Sequence, residues 1–180
     1  MRGLSLCLAA MLSAAVSAPT ALAETPDAPA VQPLYTGQHG PWQVACSRVV
    51  ADRQVFCNIA QAQRYEGKGQ ATIILGVQLR REGEYVFLFL PEGFKKDTDV
   101  TFVTDKKEAG ELKLVDGRAL RILPERSKTH IKQFMAGNIL VMQFVPNGED
   151  GKKIARFSLA GFTASINDAR AQLKAAAQSR

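Results

Sequence analysis

The chain has 180 residues, 46% of them hydrophobic and 22% charged, with a formal net charge of +6. These values fit one globular domain and exclude a fibrous or wholly disordered chain. The balance of 23 Lys and Arg against 17 Asp and Glu favours anionic surroundings without naming a partner.

Residues 1–23 read as a secretory signal peptide. They carry one cation at Arg2, an apolar run from Leu4 to Val16, and Ala21-Leu22-Ala23 in small-x-small form before Glu24. Cleavage after Ala18 is the competing site, but it would leave Pro19 at the first mature position. The apolar run is shorter than the roughly 20 residues that a membrane-spanning helix needs, and no later segment reads as a span. Cys7 departs with the leader, leaving Cys46 and Cys57. In an exported chain such a pair reads as a disulfide, because the compartment beyond the inner membrane is oxidising. The expected location is the periplasm, with attachment to the outer membrane or secretion as alternatives.

Residues 24–39 contain three prolines and no apolar periodicity, which predicts a flexible linker ahead of a domain over residues 40–180. From Trp42 onward the pattern is mostly of period two with frequent turn residues, the signature of antiparallel strands. Pairing Cys46 with Cys57 sets Val44 opposite Ile59 and gathers Trp42, Val44, Cys46, Val55, Cys57 and Ile59 on one apolar face. The closed loop should stabilise the fold by about 3 kcal/mol in the chain-entropy model.

Strands are then predicted over Ala71 to Arg80 and Glu84 to Leu90, the latter apolar on both faces and so expected to be buried on each side. Val100 to Thr104 reads as another strand. Leu112 to Val115 and Arg118 to Leu123 flank Asp116-Gly117, a strong hairpin signal. Ile131, Phe134 and Met135 behind Thr129 predict a helix of two turns capped by Thr129 and stopped by Gly137. Ile139 to Val145 and Ile154 to Leu159 form a last hairpin. Ser165 to Asp168 then fits a capping box that opens a C-terminal helix, with an apolar stripe of Ile166, Ala169 and Leu173.

Few residues point to chemistry. His39 and His130 stand in no nucleophile motif, and two distant histidines with two paired cysteines do not make a zinc site. The ten residues between Cys46 and Cys57 argue against a C-x-x-C redox pair. Gly67-Lys68-Gly69 lacks phosphate-loop spacing and reads as a hairpin turn. Acidic pairs such as Glu82/Glu84, Asp97/Asp99 and Glu149/Asp150 fall in turns, where solvation accounts for them. No catalytic, metal or cofactor-binding residue is therefore assigned. What remains is a basic stretch, Arg118, Arg121, Arg126, Lys128 and Lys132, opposed only by Glu125. It reads either as a patch for an anionic glycan, phospholipid head group or acidic protein, or as cations scattered over a solvated surface. Nucleic acid fits less well, because the aromatics are mostly core-patterned phenylalanines.

Pro41-Trp42-Gln43-Val44-Ala45-Cys46, then Val55-Phe56-Cys57 and Gln61, and the closing Phe157 to Ala164 together resemble the invasion-associated locus B family of exported bacterial proteins. The resemblance extends from about Gly40 to Asp168. It implies a β-rich envelope or secreted domain, associated in some pathogens with host-cell invasion or envelope stress survival, and it brings no catalytic residues. Many members carry a second cysteine pair near Ile122 to Lys132. This chain has none there, so packing of Leu123, Ile131 and Phe134 is expected to hold that segment.

The fold expected is mainly β, an antiparallel sandwich or partly closed barrel with one short inserted helix and a C-terminal helix. The function expected is a non-enzymatic envelope or secreted interaction protein. The alternative is a small-ligand carrier whose core encloses a pocket beside Tyr85, Phe87 and Phe89.

Overall fold

The computed structural model describes residues 30–65, 71–105, 107–112 and 117–178. The expected signal peptide, the start of the expected linker, the turn expected at Gly67-Lys68-Gly69 and residues 113–116 lie outside them. Six strands form one antiparallel sheet: β1 (Val31–His39), β2 (Trp42–Val49), β3 (Val55–Arg64), β4 (Thr72–Arg80), β5 (Gly83–Phe89) and β8 (Ala119–Arg121), in that spatial order. The second sheet runs β10 (Lys153–Ser158), β9 (Ile139–Phe144), β6 (Val100–Thr104) and β7 (Lys107–Leu112). Helix α1 (Pro124–Ala136) precedes β9, and α2 (Phe162–Gln178) follows β10. The sheets do not close on each other, so the architecture is a sandwich with two helices.

The β2/β3 hairpin forms in the expected register, with Val44 opposite Ile59 and Cys46 opposite Cys57, and the two cysteines are disulfide-bonded. Its inward residues Trp42, Val44, Cys46, Cys57 and Ile59 are buried, and β4 continues that face with Ile73, Leu75, Val77 and Leu79. Rings link the layers across the core. Trp42 of β2 meets Phe162 of α2 at 4.9 Å, Phe162 meets Phe134 of α1 at 5.6 Å, and Phe134 meets Phe102 of β6 at 5.9 Å, all edge to face.

Several expectations are corrected. Residues 31–39, assigned to a flexible linker, form the edge strand β1, paired with β2 from Val31↔Val49 to His39↔Trp42 around a bulge at Pro33/Tyr35. Main-chain pairing and docking on α2 hold this strand, and neither leaves apolar alternation in the sequence. Of the hairpin expected across Asp116-Gly117, residues 113–116 lie outside the described residues; the described strands on either side join different sheets, β7 pairing with β6 and β8 with β5. β5 is central but buried on one face only, through Val86 and Leu88.

Both helices begin before their expected caps. α1 has Pro124 in its first turn, where the missing N–H costs nothing, so Thr129 lies inside it. α2 begins at Phe162, directly after Gly161 at φ +84°. A Cβ on Gly161 would stand 2.3 Å from the His39 carbonyl oxygen, so glycine there lets the start of α2 approach the β1–β2 turn. Ser165 is consequently interior and buried rather than capping. Leu123, expected in the core, is 60% exposed, while Ile122 turns inward beside Ile131 and Phe134. Leu123 is the N-cap residue of α1 and its extended backbone directs it away from the helix.

Candidate interaction surface

Strand parity decides what the outer face of the six-stranded sheet presents. Register rows set Gln78 beside Tyr85, Gly76 beside Phe87 and Arg121, and Ile74 beside Phe89 and Ala119. Tyr85, Phe87 and Phe89, expected to wall a core pocket, therefore lie on this outer face. The first two are half-buried and Phe89 is 36% exposed. The inward places on β5 are taken by Val86 and Leu88.

A polar network crosses the same face. Gln78 Nε2 donates to Asn58 Oδ1 at 3.1 Å, and Gln78 Oε1 accepts from Arg80 Nε at 2.7 Å and from Arg121 Nη2 at 2.9 Å. The Arg121 guanidinium also lies 4.1 Å over the Tyr85 ring, a cation–π contact of about 0.5–1 kcal/mol at an exposed site. Arg80 has a weak ion pair with Glu82 at 3.7 Å, both side chains being well exposed. The sequence reading identified Arg121 but missed Asn58, Gln78 and Arg80; only alternation along β4 marks the last two as outward, and nothing in the sequence brings them to Arg121.

The five expected cations are all exposed, but they occupy different elements. Arg121 ends β8 on the sheet face, and Arg118 lies at the turn before it, where its backbone carbonyl accepts from Leu90 N. The buried stripe of α1 is Ser127, Ile131 and Phe134. Helical winding then sends Arg126 to one flank of the stripe and Lys128 and Lys132 to the other. Ser127 anchors the helix: its hydroxyl donates to the Ile122 carbonyl and accepts from Val86 N, both at 3.0 Å. His130 stacks edge-on against Phe102 at 5.0 Å, with its Nδ1 3.2 Å from Gln133 Oε1.

A second cluster was invisible in the sequence because its members are far apart along the chain. Asp168 Oδ2 accepts from the Tyr35 hydroxyl at 2.7 Å across 133 residues, and His39 Nε2 lies 2.9 Å from the same oxygen across 129. Gln172 Nε2 donates to the other oxygen at 3.3 Å. Burial by itself would raise the Asp168 carboxyl, but hydrogen bonds from His39, Tyr35 and Gln172 outweigh it and hold the group below its usual range. The bond to Asp168, reinforced by burial and the carboxylate charge, raises the Tyr35 hydroxyl above its usual value. The arrangement clips the edge strand to α2.

Beyond that clip, an open cleft of about 340 Å³ lies between β1, β2, β3 and the end of α2, lined in part by Leu34, Tyr35, Arg48, Val55 and Gln172. Among the described residues, no group of histidine, cysteine and carboxylate side chains could hold a metal ion. No helix among them is long and apolar enough to cross a membrane.

A family model described as invasion associated locus B (IalB) protein matches residues 42–170. No curated protein and no solved structure matches the chain.

Proposed function

This chain belongs to the invasion associated locus B family, and on that premise we propose that it is an exported, non-enzymatic envelope protein that holds an anionic partner on its basic surface. The observation that carries this reading is that Arg118, Arg121, Arg126, Lys128 and Lys132, though borne by different elements, are all exposed, in a stretch whose one acidic residue is Glu125. Family membership and the Cys46–Cys57 disulfide fit an extracytoplasmic location, which we take to be the periplasm, the outer-membrane surface or the medium. The apolar run and the Ala21-Leu22-Ala23 pattern of residues 1–23, read as a signal peptide, point to the same route.

The test is binding of the oxidised protein to the producing bacterium's envelope and, in parallel, to host-cell membranes across a salt series. Saturable binding that weakens with salt, and that is lost when Arg118, Arg121, Arg126 and Lys128 are replaced by Glu, supports the reading. Unchanged binding by a normally folded variant overturns it. Host binding would favour a role in invasion, and binding confined to the bacterial envelope a housekeeping role.

The cleft beside Tyr35 favours a second reading, a carrier of a small molecule. Native mass spectrometry of protein taken from its own compartment would show a bound mass under that reading and none under the first.

A further inference from the structure

We propose that the outer face of β4, β5 and β8 binds acidic polysaccharide, with Arg80 and Arg121 clasping a carboxylate or sulfate and Phe87 and Phe89 carrying the sugar rings. This rests on the interaction-protein reading and names the partner class and the site.

The two guanidinium groups converge on one neutral oxygen, Gln78 Oε1, whose orientation is set by the bond from Gln78 Nε2 to Asn58. Arg121 has no carboxylate partner among the described residues, and Arg80 reaches only Glu82 at 3.7 Å. Like charges held together by an uncharged acceptor repel, and a bridging anion relieves that repulsion while using the forked donors that remain free. The stack on Tyr85 at 4.1 Å holds Arg121 in place before any ligand arrives.

Phe87 and Phe89 share this outer face, Phe87 half-buried and Phe89 36% exposed. A Cβ on Gly76 would clash with the Phe87 ring, so the glycine makes the room that this ring occupies on the sheet. Residues two apart on one face of a strand stand about 6.8 Å apart, which lets Phe87 and Phe89 offer apolar ring surface to the C–H groups of consecutive sugars. An extended peptide fits less well, because strand addition needs a long free edge, whereas β4 is paired on both sides and the edge strand β8 is three residues long.

The proposal is tested by titration calorimetry of the oxidised protein with a hexagalacturonate, a heparin hexasaccharide, maltohexaose and phosphatidylglycerol vesicles. The expected result is saturable binding of at least one acidic hexasaccharide and none of maltohexaose; which acid binds distinguishes carboxylate from sulfate. Arg121→Gln should weaken that binding about tenfold or more. Phe89→Ala, at an exposed position that leaves the core intact, should weaken it severalfold, and Lys174→Gln on α2 should leave it unchanged. Binding unaltered by both Arg121→Gln and Phe89→Ala overturns the site. Binding of vesicles or of envelope, but of no saccharide, overturns the partner class while leaving the interaction reading standing. Absence of binding to saccharides, vesicles and envelope alike overturns both.

Discussion

The Trp42 indole N–H donates to the main-chain carbonyl of Ser158 at 2.9 Å, joining the inward face of β2 in one sheet to the end of β10 in the other. The same ring packs edge-on against Phe162 at 4.9 Å, so two sheets and a helix meet at one side chain. Trp42→Phe keeps an aromatic ring but removes the donor, and should cost about 1–3 kcal/mol. Trp42→Ala should cost about 3–5 kcal/mol through the cavity it leaves. Urea unfolding followed by far-UV circular dichroism reads both, and a Phe variant as stable as the parent would show that the bond contributes nothing.

Ser127 should matter as much as a hydrophobic residue. Its hydroxyl is fully buried and satisfies both Val86 N and the Ile122 carbonyl. Ser127→Ala leaves those groups without it and is expected to lower stability by about 1–3 kcal/mol. Hydrogen exchange should show faster opening of α1, and unchanged protection there would argue against the anchor.

The Cys46–Cys57 bond closes a loop with a sequence separation of 11. Replacing both cysteines by Ala should therefore lower the unfolding free energy by about 3 kcal/mol. Before that comparison, intact mass of non-reduced, correctly exported protein should show the loss of two hydrogens; two free thiols would contradict the bond.

Asp168 gives the fold an acid-sensitive clip. Its carboxyl is held below the ordinary value of 3.8, so the unfolded chain binds that proton more readily than the folded one. The stabilisation is present above pH 3.8 and is lost as pH falls from there through the lower folded value. Asp168→Asn should accordingly be less stable than the parent near neutral pH, and the gap should narrow at about pH 2. Urea midpoints of the two proteins at both pH values check this, and a gap that does not change with pH would rule out the charge as its source.

Gly161 sits at φ +84° with no room for a side chain against the His39 carbonyl. Gly161→Ala combines a left-handed backbone with a clash and should cost about 1–3 kcal/mol. A melting temperature equal to the parent's would show that the turn relaxes freely.

Much of this protein is local and could be read from the chain. The β2/β3 register follows from alternation and the spacing of Cys46 and Cys57, and the β4/β5 and β9/β10 hairpins follow from apolar runs split by turn residues. Period and turn chemistry act over a few residues, so they leave a mark in the sequence. The same holds for the exposed cations, whose charge is plain wherever they fold.

What joins residues more than a hundred positions apart leaves no such mark. The docking of Tyr35 and His39 on Asp168 turns a proline-bearing segment that reads as linker into strand β1. The placing of β7 and β8 in different sheets depends on the strands that receive them, not on the residues of either strand. The convergence of Arg80 and Arg121 on Gln78 makes a site out of residues that are individually ordinary. The sequence by itself determined the alternating strands, the disulfide staple and the basic balance, since these depend on neighbouring residues; the tertiary structure alone decided which edges, faces and charges meet, since that depends on how the whole core packs.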